Sequence, residues 1–344
     1  MIQKPPALQK GDQIAAITPS WGGPHKFMHR YLAGKRQIEE TFRLKVIETK
    51  NALMPQEFLY THPAERARDL MDAFLDPTIK GIFATIGGDD SIRLLPYIDF
   101  DIIRNNPKVF IGYSDPTTIN LMCYKAGLVS FSGPVVMAGF GENCGMFPYT
   151  IDSVNRTLFS TDPIGEIKPN LNGWTTEMLD WGTPENQTVK RKLLPTIPRK
   201  VLQGAKPVQG HLIGGCLEVL SMCLGTSIFP TPAQFKNAIL FLETSEDRPG
   251  EDVLLYFLRS LGGQGILDVL SGIIMGRPKE EPQNVHRYEA TLKQVLAEWN
   301  RQDMPVLTQM DFGHTDPMFV VPIGIKAQID PVQGTFSILE NAVS

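Results

Sequence analysis

The chain has 344 residues, of which 42% are hydrophobic, 20% charged and 9% aromatic. That length and composition exclude a disordered chain or a fibre and make two folded domains the default expectation. The formal net charge is −4 and no five-residue run of lysines and arginines appears, which argues against a phosphate-backbone binder and with it a nucleic-acid partner. An uncharged stretch at 126–141 is too short, and too broken by glycines and a proline, to cross a bilayer, so no membrane partner is expected. The first twenty residues have no apolar core of signal-peptide length. Four cysteines, Cys123, Cys144, Cys216 and Cys223, form no C-x-x-C pair. Together these features predict a cytoplasmic protein.

Short apolar runs alternate with amphipathic stretches from residue 11 to about 160. The runs at 13–18, 45–49, 81–86, 108–113 and 128–133 predict strands, and 27–42, 63–75, 91–95 and 116–126 predict helices. Continuous apolar strands in a β-α-β-α rhythm belong to a parallel sheet covered on both faces. Ligands of such sheets sit beyond the carboxyl ends of the strands, so chemistry is expected just after Thr18, Ile86 and Tyr113. Residues 161–206 hold Pro163, Pro169, Pro184, Pro195, Pro198 and two tryptophans without periodicity, which predicts an irregular crossing between domains. From 207 onward the runs at 210–215, 238–243, 271–276 and 305–310 predict strands, with helices at 216–224, after Pro249 and near 286–299. A hairpin-like tail follows at 325–340. The expected architecture is α/β. A parallel-sheet domain with a nucleophile elbow spans 1–160, a linker spans 161–206, and a mixed, β-rich domain spans 207–344.

The segment KVFIGYSDPTTINLMCYKAG, residues 108–127, places Ser114 on a strand-to-helix turn, with Pro116 opening the helix and Gly127 closing it. In such a turn a hydroxyl is exposed beside backbone N–H groups that face a developing oxyanion. Pro116 stands where the usual G-x-S-x-G elbow has its second glycine, and an ordinary helix-capping serine is the alternative. Of the six histidines, His25 and His29 lack a third metal ligand at suitable spacing, and no metal or other cofactor is expected. His62, His211 and His286 sit at element starts. His314, in MDFGHTDPMF, follows an apolar strand and is freed by Gly313, a position suited to a general base. Glu243 ends the run AILFLE, where a carboxylate orienting an imidazole belongs; Glu246, Asp247 and Asp316 compete for the role. Besides the Asp115 N–H, the Gly87-Gly88 pair after a strand offers a second oxyanion donor.

In order along the chain, IGGDDS, GYSDPTT, LIGG, FLETSED and FGHTDP resemble the LD-carboxypeptidase family, which includes murein tetrapeptide carboxypeptidases and microcin C self-immunity peptidases. The likeness covers roughly residues 10–340, and GHTDPM together with the length is closer to the immunity branch. The resemblance implies a Ser114–Glu243–His314 triad, an oxyanion hole from the Gly88 and Asp115 backbone, and a homodimer. It implies a small peptide or an aminoacyl-nucleotide as substrate. Where the family usually reads G-G-N, this chain has Gly214-Gly215-Cys216, so a contact made by an amide is here left to a thiol. Trp181, or else Trp174, is expected to stack on a nucleotide base, and Arg248 to pair with a terminal carboxylate if the substrate is murein peptide. A non-catalytic binding protein on the same scaffold is the rival of another class; it would show decay at one of the three triad positions, and none is visible.

Overall fold

The computed structural model describes residues 2–279 and 284–344. Among the described residues the strands are β1 Gln13–Ile17, β2 Lys45–Glu48, β3 Ile79–Ala84, β4 Val109–Ile111, β5 Ser130–Ser132, β6 Gly165–Glu166, β7 Lys200–Gln203, β8 Val208–Cys216, β9 Ile239–Glu243, β10 Gly272–Gly276, β11 Val306–Met310, β12 Val321–Ile323, β13 Lys326–Asp330 and β14 Thr335–Ile338. They form two sheets, one ordered β12-β5-β4-β3-β1-β2 and the other β6-β14-β13-β8-β9-β10-β11-β7. The molecule is thus a two-domain α/β protein.

In the first sheet β1 to β5 run parallel and only β12 is antiparallel, against β5. The strand order reverses between β1 and β3, which is where open α/β sheets leave a crevice at their carboxyl ends. Ile14, Ala16, Ile82, Phe83, Val109 and Ile111 are all buried, which is why these strands read as unbroken apolar runs. Helices Met28–Phe42, Pro63–Leu75 and Thr117–Ala126 cover the sheet. Gly127, at φ 84°, ends the last of these in the left-handed cap expected of it.

The second sheet has a parallel centre, β8-β9-β10-β11, flanked by antiparallel β7 on one side and by β13, β14 and β6 on the other. Every residue of β9, β10 and β11 is buried. Several elements escape the apolar pattern. The helices Gln56–Thr61, Phe100–Asn105 and Pro148–Leu158 are short or weakly apolar. The segment 161–206 is largely irregular but contributes β6 and β7 to the second sheet. Strand β12 leaves the C-terminal part of the chain to join the N-terminal sheet. Among the described residues no helix is long and apolar enough to cross a membrane.

Candidate active site

The parallel strands of both sheets point their carboxyl ends at one cleft of about 490 Å³, lined by Trp21 after β1, Gly87, Gly88 and Asp89 after β3, Tyr113 and Ser114 after β4, Cys216 and Glu218 at the end of β8, Ser245, Glu246 and Asp247 after β9, and His314 after β11. Each of the three positions singled out after strands of the first domain supplies part of this wall.

Ser114 has φ 65°, the left-handed region that a residue with a Cβ adopts only when its surroundings enforce it. Those surroundings are tight. A Cβ on Gly87 would lie 2.8 Å from Ser114 Oγ, so only glycine lets the β3 loop pass beside the serine. Asp115 turns inward instead: its buried carboxylate accepts the Ser91 N–H at 2.9 Å, and burial raises its pKa. The β3 loop is fixed by a buried network that periodicity does not reveal. Arg66 donates both guanidinium nitrogens to Asp90, at 2.8 and 2.9 Å, and Ser20 Oγ donates to the same carboxylate at 2.9 Å. The Ser20 hydroxyl also accepts the N–H groups of Asp89 and Asp90, both at 3.1 Å.

On the opposite wall, Glu243 is 1% exposed at the tip of β9. Its Oε2 accepts from His314 Nδ1 at 2.5 Å, bringing together residues 71 apart in sequence. A Cβ on Gly313 would lie 2.6 Å from Glu243 Cβ, which is why glycine precedes the histidine. The Tyr113 ring packs edge-on against the imidazole, centroids 4.8 Å apart. The other nitrogen, Nε2, is taken by Glu246 Oε2 at 3.0 Å. Burial opposes charging the imidazole, but the two carboxylates outweigh it and push the His314 pKa up to about 10. In turn the hydrogen bond from His314 holds Glu246 down at about 2.

Cys216 is 1% exposed and lines the cleft. Its thiol donates to Glu218 Oε2 at 3.4 Å, and burial beside Glu243 and Glu218 raises its pKa well above the usual value. A thiol so held is a poor nucleophile at neutral pH. Beyond His314 the cleft continues into a smaller lobe of about 80 Å³ that shares Tyr113, Glu246 and His314 and adds Trp181, Met178, Arg30, Arg191 and Lys279. Trp181 is partly exposed there, edge-on to Phe27 at 5.9 Å, with the Arg30 guanidinium 4.8 Å from its ring centre. Trp174 is buried instead, donating Nε1–H to the Pro195 carbonyl at 2.9 Å. Arg248 is exposed on the loop after β9 at φ 54° and lines neither lobe. Asp316 ion-pairs with Arg191 at 2.7 Å, and Asp247 stays at the cleft edge; neither contacts His314 in place of Glu243. Among the described residues no three His, Cys, Asp or Glu side chains lie close enough to hold a metal ion.

Residues 14–133 match the LD-carboxypeptidase N-terminal domain and residues 209–329 the LD-carboxypeptidase C-terminal domain. The chain belongs to the LD-carboxypeptidase family. It is accordingly a hydrolase of the serine carboxypeptidase type. It is 32% identical to the microcin C7 self-immunity protein MccF of Escherichia coli, over all of this chain and 99% of that one. It is 27% identical to a probable murein peptide carboxypeptidase of Bacillus subtilis, over 99% of this chain and 95% of the other. Among solved structures, MccF in complex with aspartyl sulfamoyl adenosine superposes with a TM-score of 0.87 at 28% identity, covering 99% of this chain and all of that one.

Proposed function

We propose that this family member is an amidase using a Ser114–His314–Glu243 triad, and that it cleaves the amide joining an aminoacyl group to a modified nucleotide. The observation that carries the reading is the 2.5 Å contact between His314 Nδ1 and Glu243, in the cleft that also holds Ser114 on its left-handed turn. His314 Nε2 takes the Ser114 proton as Oγ attacks the acyl carbonyl, and Glu243 fixes the imidazole tautomer and balances its charge. The Gly88 and Asp115 N–H groups receive the oxyanion. Collapse expels the amine, which takes the proton from His314; water then attacks the acyl-serine by the same base and frees the acid. Because Glu246 occupies Nε2 before substrate enters, its release from the imidazole precedes the first proton transfer.

The nucleotide part belongs in the lobe of Trp181, whose ring offers a stacking face to a base, while the acyl part lies at Ser114. Hydrolysis of the aminoacyl–nucleotide amide is the reaction favoured by full-length similarity to MccF. Removal of a residue from murein tetrapeptide is the second reading, favoured by similarity to the Bacillus subtilis carboxypeptidase. We place the activity in the cytoplasm and in a homodimer, the first supported by four free cysteines and the second by the family resemblance alone. Turnover of aminoacyl sulfamoyl adenosines and of murein tetrapeptide, measured beside Ser114→Ala, tests the reading. Ser114-dependent cleavage of the nucleotide conjugates is expected, and cleavage of the tetrapeptide alone would move the assignment to the second.

A further inference from the structure

The cations that line the cleft are confined to one of its two lobes. Asp89, Glu218, Glu246 and Asp247 wall the Ser114 side, and among the described residues no lysine or arginine lines it. The cations Arg30, Arg191 and Lys279 all line the other lobe, beyond His314, in company with Glu177 and Asp316. Two of the four carboxylates are committed within the wall. Glu218 accepts Ser245 N–H at 3.0 Å through one oxygen and the Cys216 thiol at 3.4 Å through the other, and Glu246 accepts from His314. Asp89 and Asp247 are exposed, and among the described residues neither side chain enters an ion pair. The acidic wall is not a metal cage, since no three of these groups converge. It faces a cavity large enough for an amino-acid side chain, which Ser114 also lines.

An acyl group bearing its own carboxylate would enter among like charges and lose hydration without gaining a partner. A side-chain ammonium or guanidinium would find two unpaired carboxylates, Asp89 and Asp247, with the charges of Glu218 and Glu246 beside them. We infer that the Ser114 lobe selects substrates whose acyl residue carries a positively charged side chain, of the lysine, ornithine or arginine kind. The inference rests on the amidase reading of the same cleft and adds the class of acyl group it takes. MccF, solved with an aspartyl conjugate, accommodates an acyl residue of the opposite charge, so the two proteins divide substrates by sign.

The test binds lysyl, alanyl and aspartyl sulfamoyl adenosine to the Ser114→Ala protein by calorimetry at low and high salt, and measures turnover of each by the wild type. All three share the α-amine and the nucleotide, so side-chain charge is the variable. The lysyl conjugate is expected to bind at least ~10-fold tighter than the aspartyl one, with the ratio shrinking as salt rises. Neutralising the two exposed carboxylates, Asp89→Asn with Asp247→Asn, is expected to bring the ratio toward one and to change alanyl binding less. Both positions are on the surface, so folding is not at stake. Aspartyl binding as tight as lysyl, no measurable lysyl binding, or a ratio that survives the double substitution overturns the inference. Lysyl-selective binding without Ser114-dependent turnover of any conjugate would instead overturn the amidase reading and leave the charge selection standing. Ser114-dependent turnover indifferent to charge would do the reverse.

Discussion

At His314 two carboxylates compete for one imidazole. Glu243 holds Nδ1 at 2.5 Å and Glu246 holds Nε2 at 3.0 Å, and together they push the pKa to about 10. A general base must be neutral, so kcat/KM is expected to rise with pH as His314 loses its proton. Glu246→Gln removes one of the two charges, lowers the His314 pKa and shifts that rise to lower pH. A pH–rate profile unchanged by the substitution would show that Glu246 does not set the base. The sign for stability follows from the same shift. Because the folded value lies above the usual 6.5, the pair's contribution is fully present below about pH 6.5 and is lost as pH climbs through about 10. Glu246 is 54% exposed, so solvent screens its share. Cys216 gives a second residue-scale outcome. It lines the cleft with its thiol held by Glu218, so on the proposed reaction Cys216→Asn should change KM or acyl preference severalfold and leave kcat within about tenfold of wild type. Loss of all turnover with folding retained would point to the thiol as nucleophile. The positions of Ser114, Glu243 and His314 at or just after strand ends were legible from the apolar runs, while only the family resemblance joined the three as a triad. Glu246's hold on His314 was not legible, since nothing local to a loop glutamate says which imidazole it will meet.

The elements that matter are the turns at the carboxyl ends of β1, β3, β4, β8, β9 and β11, and the strands serve to aim them. Apolar runs and their punctuation disclosed these strands because both faces of each parallel core are buried. Strand β12 and the two-residue β6 left no such trace: each is too short to make a pattern and is defined by its partner. The Arg66–Asp90–Ser20 network was hidden for the same reason, since its members lie on three elements. The glycine pair after β3 was visible, and its close approach carries a prediction. In Gly87→Ala the new methyl would sit 2.8 Å from Ser114 Oγ. It is expected to lower kcat by about 100-fold while circular dichroism stays that of the wild type. Wild-type turnover in this variant would mean that the β3 loop does not set the position of the serine hydroxyl.

Seen as a whole molecule, the site exists only where two sheets meet. Ser114 and its neighbouring amides come from the first, Glu243 and His314 from the second, and the segment 161–206 closes the side with Trp181 and Arg191. Its irregular, proline-broken sequence told of a crossing, but not that Arg191 would bind Glu142 and Asp316 and so tie the crossing to both domains. Trp181→Ala should weaken cleavage of an aminoacyl-nucleotide roughly tenfold, the worth of one stacked base, and leave small activated esters nearly unaffected. Equal losses on both would assign the ring to the fold. The claim on which the rest depends is that Ser114 attacks and that the Glu243–His314 pair empowers it. The most direct measurement is peptide mapping by mass spectrometry after exposure to a serine-directed fluorophosphonate. A single adduct on the peptide bearing Ser114, absent in Ser114→Ala and greatly slowed in His314→Ala, is the predicted result. Labelling at another residue, or full turnover by protein whose Ser114 is quantitatively blocked, would contradict it.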